Sequence, residues 1–235
     1  MKKLVPLGGD RRLSYVSFKD MWNEEIDDII LELSNNNVIG YLSKHDMAVL
    51  YHFSKQANTR ILEIGTLVGL SSCFMALANR DIEIITMDKL SDGKFADPNL
   101  RNRDIWIGDV AKNMESVKEM RNIDDIRNNN LISLQIENVT LLSGYSFDLH
   151  EKTPDENDFI FIDGEHTAGS VFLDLLFYVP KIKSGGTILL HDNCWEYPGV
   201  NAAINSYLEK YGEKYLDGTI QCVNPNSSIA ILKRR

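Results

Sequence analysis

The chain has 235 residues, 43% hydrophobic and 25% charged, enough to bury the core of one ordinary soluble domain and short for two. A formal net charge of −9 and a pI near 5.1 exclude a broad, sequence-independent grip on nucleic acid, which requires clustered Lys and Arg to displace counterions. No uncharged apolar run approaches the length of a membrane span, and Met1-Lys2-Lys3 is followed by Pro6, Gly8, Gly9 and Asp10 rather than by the apolar stretch of an export signal.

A cytoplasmic protein that binds neither nucleic acid nor membrane is therefore expected. Cys73, Cys194 and Cys222 are odd in number and widely spaced, which suits buried thiols in a reducing compartment better than a disulfide framework.

From Phe18 to Ser34, Trp22, Ile26, Ile29, Ile30 and Leu33 recur at helical spacing between acids, predicting an amphipathic helix that Asn35-Asn36-Asn37 stops. Ser43 is the expected N-cap of a second helix through about Gln56, with Met47, Leu50 and Tyr51 on one face. From Arg60 the pattern changes. The β-rich run Ile61-Leu62-Glu63-Ile64 leads into a helix carrying Leu70, Cys73, Phe74 and Leu77, and a second strand follows at Ile82 to Met87. Strands joined by helices in this way indicate parallel βαβ units buried on both faces.

Between Asp88 and Asn138 the reading is least regular. Asp92 to Arg103 resembles a loop and Val110 to Ile126 a polar helix, together long for one crossover. Further strands are predicted at Val139 to Leu142, Phe159 to Ile162 and Thr187 to Leu190. A helix from Ala168 to Val179, with Phe172, Leu175, Leu176 and Val179 on its stripe, precedes Pro180 and Gly185-Gly186, which should break it. After Tyr197-Pro198-Gly199 comes a helix with Val200, Ala203, Ile204, Tyr207 and Leu208 inward. Runs at Thr219 to Val223 and Ser228 to Leu232 should then pair antiparallel at the sheet edge through the turn Asn224-Pro225-Asn226. The class is doubly wound α/β, one domain over residues 1–235, with residues 1–58 as an N-terminal helical cap and 59–235 as the core.

Ligands of open α/β sheets sit beyond the carboxyl ends of the strands. After the first core strand, Gly65 and Gly69 let backbone approach a ligand and leave helix-start N–H groups facing it. After the second, Asp88 stands where a carboxylate accepts hydrogen bonds from ribose hydroxyls. A ligand-free turn satisfies the same glycines, and an NAD(P)-dependent oxidoreductase shares the architecture. The fingerprint G-x-G-x-x-G is absent, however, because Thr66-Leu67-Val68 separates the two glycines, and Glu63 places within the strand end a carboxylate that needs partners. Those features favour a cofactor carrying an amino acid's ammonium group.

Farther on, Phe161-Ile162-Asp163-Gly164-Glu165-His166 and Leu189-Leu190-His191-Asp192-Asn193 end two strands with acids. Asp163, Asp192 and Asn193 form an all-oxygen set suited to Mg²⁺ or a similar hard divalent cation rather than zinc. Helix capping by Asp163 and a loop hydrogen bond from Asp192 are the structural alternatives.

The run Ile61-Leu62-Glu63-Ile64-Gly65-Thr66-Leu67-Val68-Gly69-Leu70-Ser71 resembles the first motif of class I S-adenosylmethionine-dependent methyltransferases, closest to the catechol and caffeoyl-coenzyme A O-methyltransferase type. The Asp-Gly-Glu-His string resembles a bacterial methyltransferase group with an Asp-Gly-x-His motif. The resemblance implies a Rossmann-like, mostly parallel seven-stranded sheet. It also implies that Glu63, Gly65, Leu70 and Ser71 lie along the methionine part of the cofactor, with Gly69 in the turn and Asp88 on the ribose. Gly144, Ser146 and Phe147 would surround the adenine, although Tyr145 stands where many members carry an acid.

Asp163 would adjoin both cofactor and metal, the metal resting on Asp163, Asp192 and Asn193. His166 falls where catechol-type enzymes carry a lysine base. A neutral imidazole, with an ordinary pKa of about 6.5, can remove a hydroxyl proton near neutral pH, and His191 is an equal candidate to assist. A small-molecule or saccharide hydroxyl is the implied acceptor, and a homodimer is compatible with it. A noncatalytic cofactor-binding module is the remaining alternative. Asn224-Pro225-Asn226-Ser227 is similar to the Asn-Pro motif of nitrogen methyltransferases but occurs at the wrong strand, and reads as a turn.

Overall fold

Local capping decides where the first helices of the computed structural model begin; the structure describes residues 13–16, 21–40, 42–89, 123–194, 196–223 and 228–235. The Asn23 side chain accepts the Ile26 N–H at 3.2 Å, so α1 spans Glu24–Asn35 and begins later than its periodicity predicts. Met21 and Trp22 continue the apolar spacing but precede the cap. Helix α2 spans Lys44–Gln56 with Ser43 as N-cap, as expected. Its capping box is reciprocal: Ser43 Oγ accepts the Asp46 N–H at 3.2 Å, and Asp46 Oδ2 accepts the Ser43 N–H at 3.2 Å.

A strand at the N-terminal end, β1 (Leu13–Val16), was not expected. The core continues as β2 (Arg60–Ile64), α3 (Leu70–Ala78), β3 (Glu83–Asp88), α4 (Ile123–Ser133), β4 (Val139–Ser143), the short α5 (Ser146–Leu149) and β5 (Asn157–Ile162). It closes with α6 (Ala168–Tyr178), β6 (Ile182–Leu190), α7 (Pro198–Tyr215), β7 (Leu216–Val223) and β8 (Ala230–Arg234).

The sheet order is β1-β7-β8-β6-β5-β2-β3-β4. Strands β2 to β6 are mutually parallel, and β8 runs antiparallel to β6 and β7. This is the Rossmann-like sheet of seven strands with its antiparallel C-terminal pair, and β1 adds an eighth strand parallel to β7.

Alternation along the central strands feeds two cores. Ile61, Phe159 and Phe161 face the side covered by α1, α2 and α3. Leu62, Ile160 and Ile162 face α6 and α7. On α7 the predicted stripe Val200, Ala203, Ile204, Tyr207 and Leu208 is buried throughout. On α6 the buried stripe is Val171, Leu175, Tyr178 and the following Val179, while Phe172 and Leu176 flank it half-buried.

Other expectations shift. Strand β6 starts at Ile182 and runs through Gly185-Gly186, with a register irregularity against Asn157/Phe159, so the glycines interrupt the ladder instead of preceding it. Helix α4 occupies Ile123–Ser133, at the end of the predicted polar helix and beyond it. Residues 92–103 and 110–122, like the turn at 224–227, lie outside the described residues. Cys73 is buried and Cys194 half-buried, both as free thiols; the Cys222 side chain lies outside those described. Among the described residues no helix is long and apolar enough to cross a membrane.

Candidate active site

The chain leaves β2 for β3 on one side and returns on the other through β5, so the carboxyl ends of β2 and β5 flank a switch point, where open α/β sheets bind ligands. Gly65 sits there at φ +100°, and a Cβ on it would stand 2.1 Å from the Asp163 carbonyl oxygen. Gly69, at φ +77°, begins α3 without a capping side chain.

Glu63 is wholly buried on β2. Its carboxylate accepts hydrogen bonds from Ser71 and Ser72 at the start of α3 and from Thr86 Oγ1 at 2.6 Å. Burial pushes the carboxyl up to about 7 against these three hydroxyls, which pull it down. The folded state thus holds this proton more tightly than the unfolded chain. Its stabilising contribution is complete below the ordinary value of 4.5 and is lost as pH rises through about 7. Wild type should therefore lose about 2.5 kcal/mol relative to Glu63→Gln between pH 5 and 8, at up to about 1.4 kcal/mol per pH unit and levelling off above about pH 7. Urea melts at stepped pH values check this, and parallel pH dependences for the two proteins would refute it.

Asp88 closes β3 half-buried, with Oδ2 accepting the Leu67 N–H at 2.5 Å. Two side chains of α4, which no motif announced, secure the same turn. Arg127 is buried and donates from Nε to Leu67 O at 2.7 Å and from Nη1 to Asp124 at 3.0 Å, with Nη2 4.0 Å from Asp88. Asn130 Nδ2 donates to Val68 O and to Ile39 O, each at 2.8 Å, and Oδ1 accepts the Ile39 N–H at 3.0 Å. Their i, i+3 spacing sets both on one face of α4. In the sequence it was the only signal they gave.

Beyond β4, Gly144 leads into α5, where the Ser146 hydroxyl donates to Asp174 of α6 at 2.5 Å. Burial raises the Asp174 carboxyl to about 6 despite that bond. Ser146 is therefore engaged with α6, whereas Phe147 is exposed and stacks on the exposed Tyr145 with ring centroids 5.3 Å apart. Leu70 and Ser71 are buried in the first turn of α3.

At the tips of β5 and β6 the predicted acids and histidines converge. His166 Nε2 lies 2.8 Å from Asp192 Oδ2, and its ring rests on Tyr197 at a centroid distance of 4.2 Å. His191 is buried, with Nδ1 3.0 Å from Asp163 Oδ1 and 3.2 Å from Asp192 Oδ2. Its Nε2 meets Ser228 Oγ at 3.2 Å and Asp46 Oδ2 at 3.3 Å. The His191 Nδ1 and His166 Nε2 atoms are buried and close to carboxylates, but without the alignment of a straight hydrogen bond.

The Asp192 contact raises the His166 imidazolium above the ordinary histidine value, with burial opposing it. For His191 burial acts downward, yet Asp163, Asp192 and Asp46 outweigh it and hold the ring well above that value. Burial likewise opposes ionisation of Asp192, and the two histidines overcome it to hold this carboxyl well below the usual range. Asn193 is buried, its Oδ1 accepting from Asn201 Nδ2 at 3.1 Å. No motif in the sequence singles out Asp46. Its place beside His191 depends on α2 folding over the sheet, which local sequence does not reveal.

A strand order of this kind, with a glycine turn at the switch point, an acid after the next strand and polar residues on the two strands beyond, defines the class I methyltransferase architecture. A family model described as a methyltransferase domain matches residues 62–193, and the chain belongs to that family of S-adenosylmethionine-dependent enzymes.

Solved structures share its fold at low sequence identity. A candidate caffeoyl-CoA O-methyltransferase from Staphylococcus aureus is 16% identical, with TM-score 0.58, over 92% of this chain and 94% of the other. The Bacillus cereus O-methyltransferase in complex with S-adenosylhomocysteine is 16% identical, with TM-score 0.54, over 91% of each chain. The O-methyltransferase TomG of Streptomyces achromogenes, involved in tomaymycin synthesis and complexed with S-adenosylmethionine, is 13% identical, with TM-score 0.55, over 91% and 90%. No curated protein sequence matches the chain significantly.

Proposed function

We propose that the protein transfers the methyl group of S-adenosylmethionine to a hydroxyl oxygen of a small molecule or saccharide, assisted by Mg²⁺ or a similar divalent cation. The observation that carries this reading is the meeting of Asp163, His166 and Asp192 beside the glycine turn, at the carboxyl ends of adjacent parallel strands. In it, Glu63, Gly65, Gly69, Leu70, Ser71, Asp88, Gly144, Ser146 and Phe147 line the cofactor side. Helices α1 and α2 cap one face of the core of residues 59–235, and Asp46 reaches the site from α2.

The donor chemistry suits a cation. Carboxylate oxygens of Asp163 and Asp192 and a nitrogen of His191 lie within 4.8 Å of one another, and the buried His191 Nδ1 has no aligned acceptor. Asp163 and Asp192 would hold the cation, with Asn193 as the third donor that the sequence suggests. When bound, the donor supplies an electrophilic methyl carbon and the cation lowers the pKa of an acceptor hydroxyl.

His166 then takes the hydroxyl proton at Nδ1, the ring nitrogen away from Asp192, and Asp192, against Nε2, orients the ring and stabilises the imidazolium that forms. The new C–O bond forms as the C–S bond breaks in line, and the sulfur leaves as a neutral thioether. Alignment of donor with acceptor is the larger part of what the protein contributes.

The test is methyl transfer from isotopically labelled S-adenosylmethionine to a panel of phenols, catechols and saccharides, with and without chelator. Acceptor-dependent transfer, lost in chelator and restored by a divalent cation, is expected. Transfer indifferent to chelator would remove the cation from the reading. Cofactor binding with no transfer across the panel would favour a noncatalytic module.

A further inference from the structure

We infer that His191 Nδ1, rather than Asn193, is the third protein donor of the cation site, giving a set of two carboxylate oxygens and one imidazole nitrogen; this rests on the proposed cation-assisted reading. The nitrogen stands 3.0 Å from Asp163 Oδ1 and 3.2 Å from Asp192 Oδ2. Adjacent ligands about 2.1 Å from a six-coordinate ion are separated by about 3 Å, so these spacings are those of neighbouring donors. Both oxygens also lie off the line along which Nδ1 would direct a proton, since the atom has no aligned hydrogen-bond acceptor. An ion on that line would have the oxygens at its flanks.

The other face of the ring supports the same assignment. Nε2 meets Ser228 Oγ at 3.2 Å and Asp46 Oδ2 at 3.3 Å. The Ser228 hydroxyl accepting there, with the Asp46 carboxylate beside it, keeps the proton on Nε2 and turns the Nδ1 lone pair towards Asp163 and Asp192. Metal-bound histidines are fixed by this kind of outer partner. Three electron-rich atoms facing one another in a half-buried place favour positive charge between them. Asn193 has an occupant for its oxygen already, in Asn201 Nδ2 at 3.1 Å.

The rival cation is a proton on Nδ1, which the same carboxylates attract, but that proton would find no straight acceptor. A mixed nitrogen and oxygen set shifts preference from Mg²⁺ towards Mn²⁺ or Co²⁺.

Mn²⁺ added to the metal-free full-length protein, followed by pulsed electron paramagnetic resonance, tests the ligand directly. Wild type should show coupling from a directly bound ¹⁴N that changes to the ¹⁵N pattern when the protein is labelled with ¹⁵N-histidine. The coupling should survive in His166→Gln and vanish in His191→Gln, whose Mn²⁺ Kd should rise about tenfold or more. Because the isotope arm uses wild type alone, a variant that fails to fold leaves the test intact. Bound Mn²⁺ without nitrogen coupling, or coupling lost in His166→Gln instead, would overturn the assignment and leave cation assistance standing. No Mn²⁺ binding at millimolar concentration would overturn both.

Discussion

Asp192→Ala is expected to lower kcat by roughly a thousandfold, since a cation and an oriented base each contribute several kcal/mol to such a transition state. Affinity for S-adenosylhomocysteine should change little. Asp192 stands between His166 Nε2 at 2.8 Å and His191 Nδ1 at 3.2 Å. Its loss therefore removes a proposed ligand and the group that orients the proposed base in one step. The turn from Glu63 to Gly69 makes no contact with it among the hydrogen bonds described.

Asp192 has φ +56°, a conformation that Asn tolerates better than other residues, so Asp192→Asn provides a variant whose backbone is preserved. Both variants should be insensitive to added divalent cation, and wild type in chelator should fall towards their level. Turnover near that of wild type in Asp192→Asn, with the fold intact by circular dichroism, would remove Asp192 from the chemistry.

Where sequence and structure agree, the signals were local and redundant. Ser43 and Asp46 cap α2 reciprocally, and β2, β5 and β8 consist of apolar runs whose alternation matches two buried faces. The start of α1 was misjudged because Trp22 obeys helical spacing, while the decisive interaction is the hydrogen bond of the Asn23 side chain. Strand β1 was missed because four residues paired with β7 depend on a contact more than 200 positions away.

The predicted acids after β3, β5 and β6 could be read because parallel topology delivers every strand end to one edge. Asp46, Arg127 and Asn130 could not. Asp46 satisfies a capping rule that fully accounts for it, and Arg127 and Asn130 sit in a polar helix with no motif. Their importance appears only when α2 and α4 close over the glycine turn and His191. The candidate site was legible where topology places residues and hidden where tertiary packing does.

That glycine turn gives the sharpest expectation for stability. Gly65→Ala should destabilise the protein by about 4 kcal/mol or more, the range reached when backbone strain and overpacking coincide. The added Cβ would stand 2.1 Å from the Asp163 carbonyl oxygen and 2.5 Å from its carbon. Both are backbone atoms, so no rotamer change relieves the contact. The residue also holds φ +100°, which side-chain-bearing residues rarely adopt.

Three strand ends, those of β2, β3 and β5, are tied together at that point, because Gly65 N–H donates to Met87 O at 2.9 Å and Asp163 N–H to Ile64 O at 2.8 Å. Moving β2 or β5 to make room disturbs Asp163 as well as the turn. Gly69→Ala is the internal comparison. Its φ of +77° is also left-handed, but its Cβ would meet only a side-chain atom, Arg127 Cγ, at 3.3 Å, so the cost should be about 1–2 kcal/mol. Paired denaturant melts should separate the two variants by at least about 2 kcal/mol, with Gly65→Ala the weaker. Equal midpoints would mean that β5 yields freely to β2, and that Gly65 is required by the turn's conformation alone.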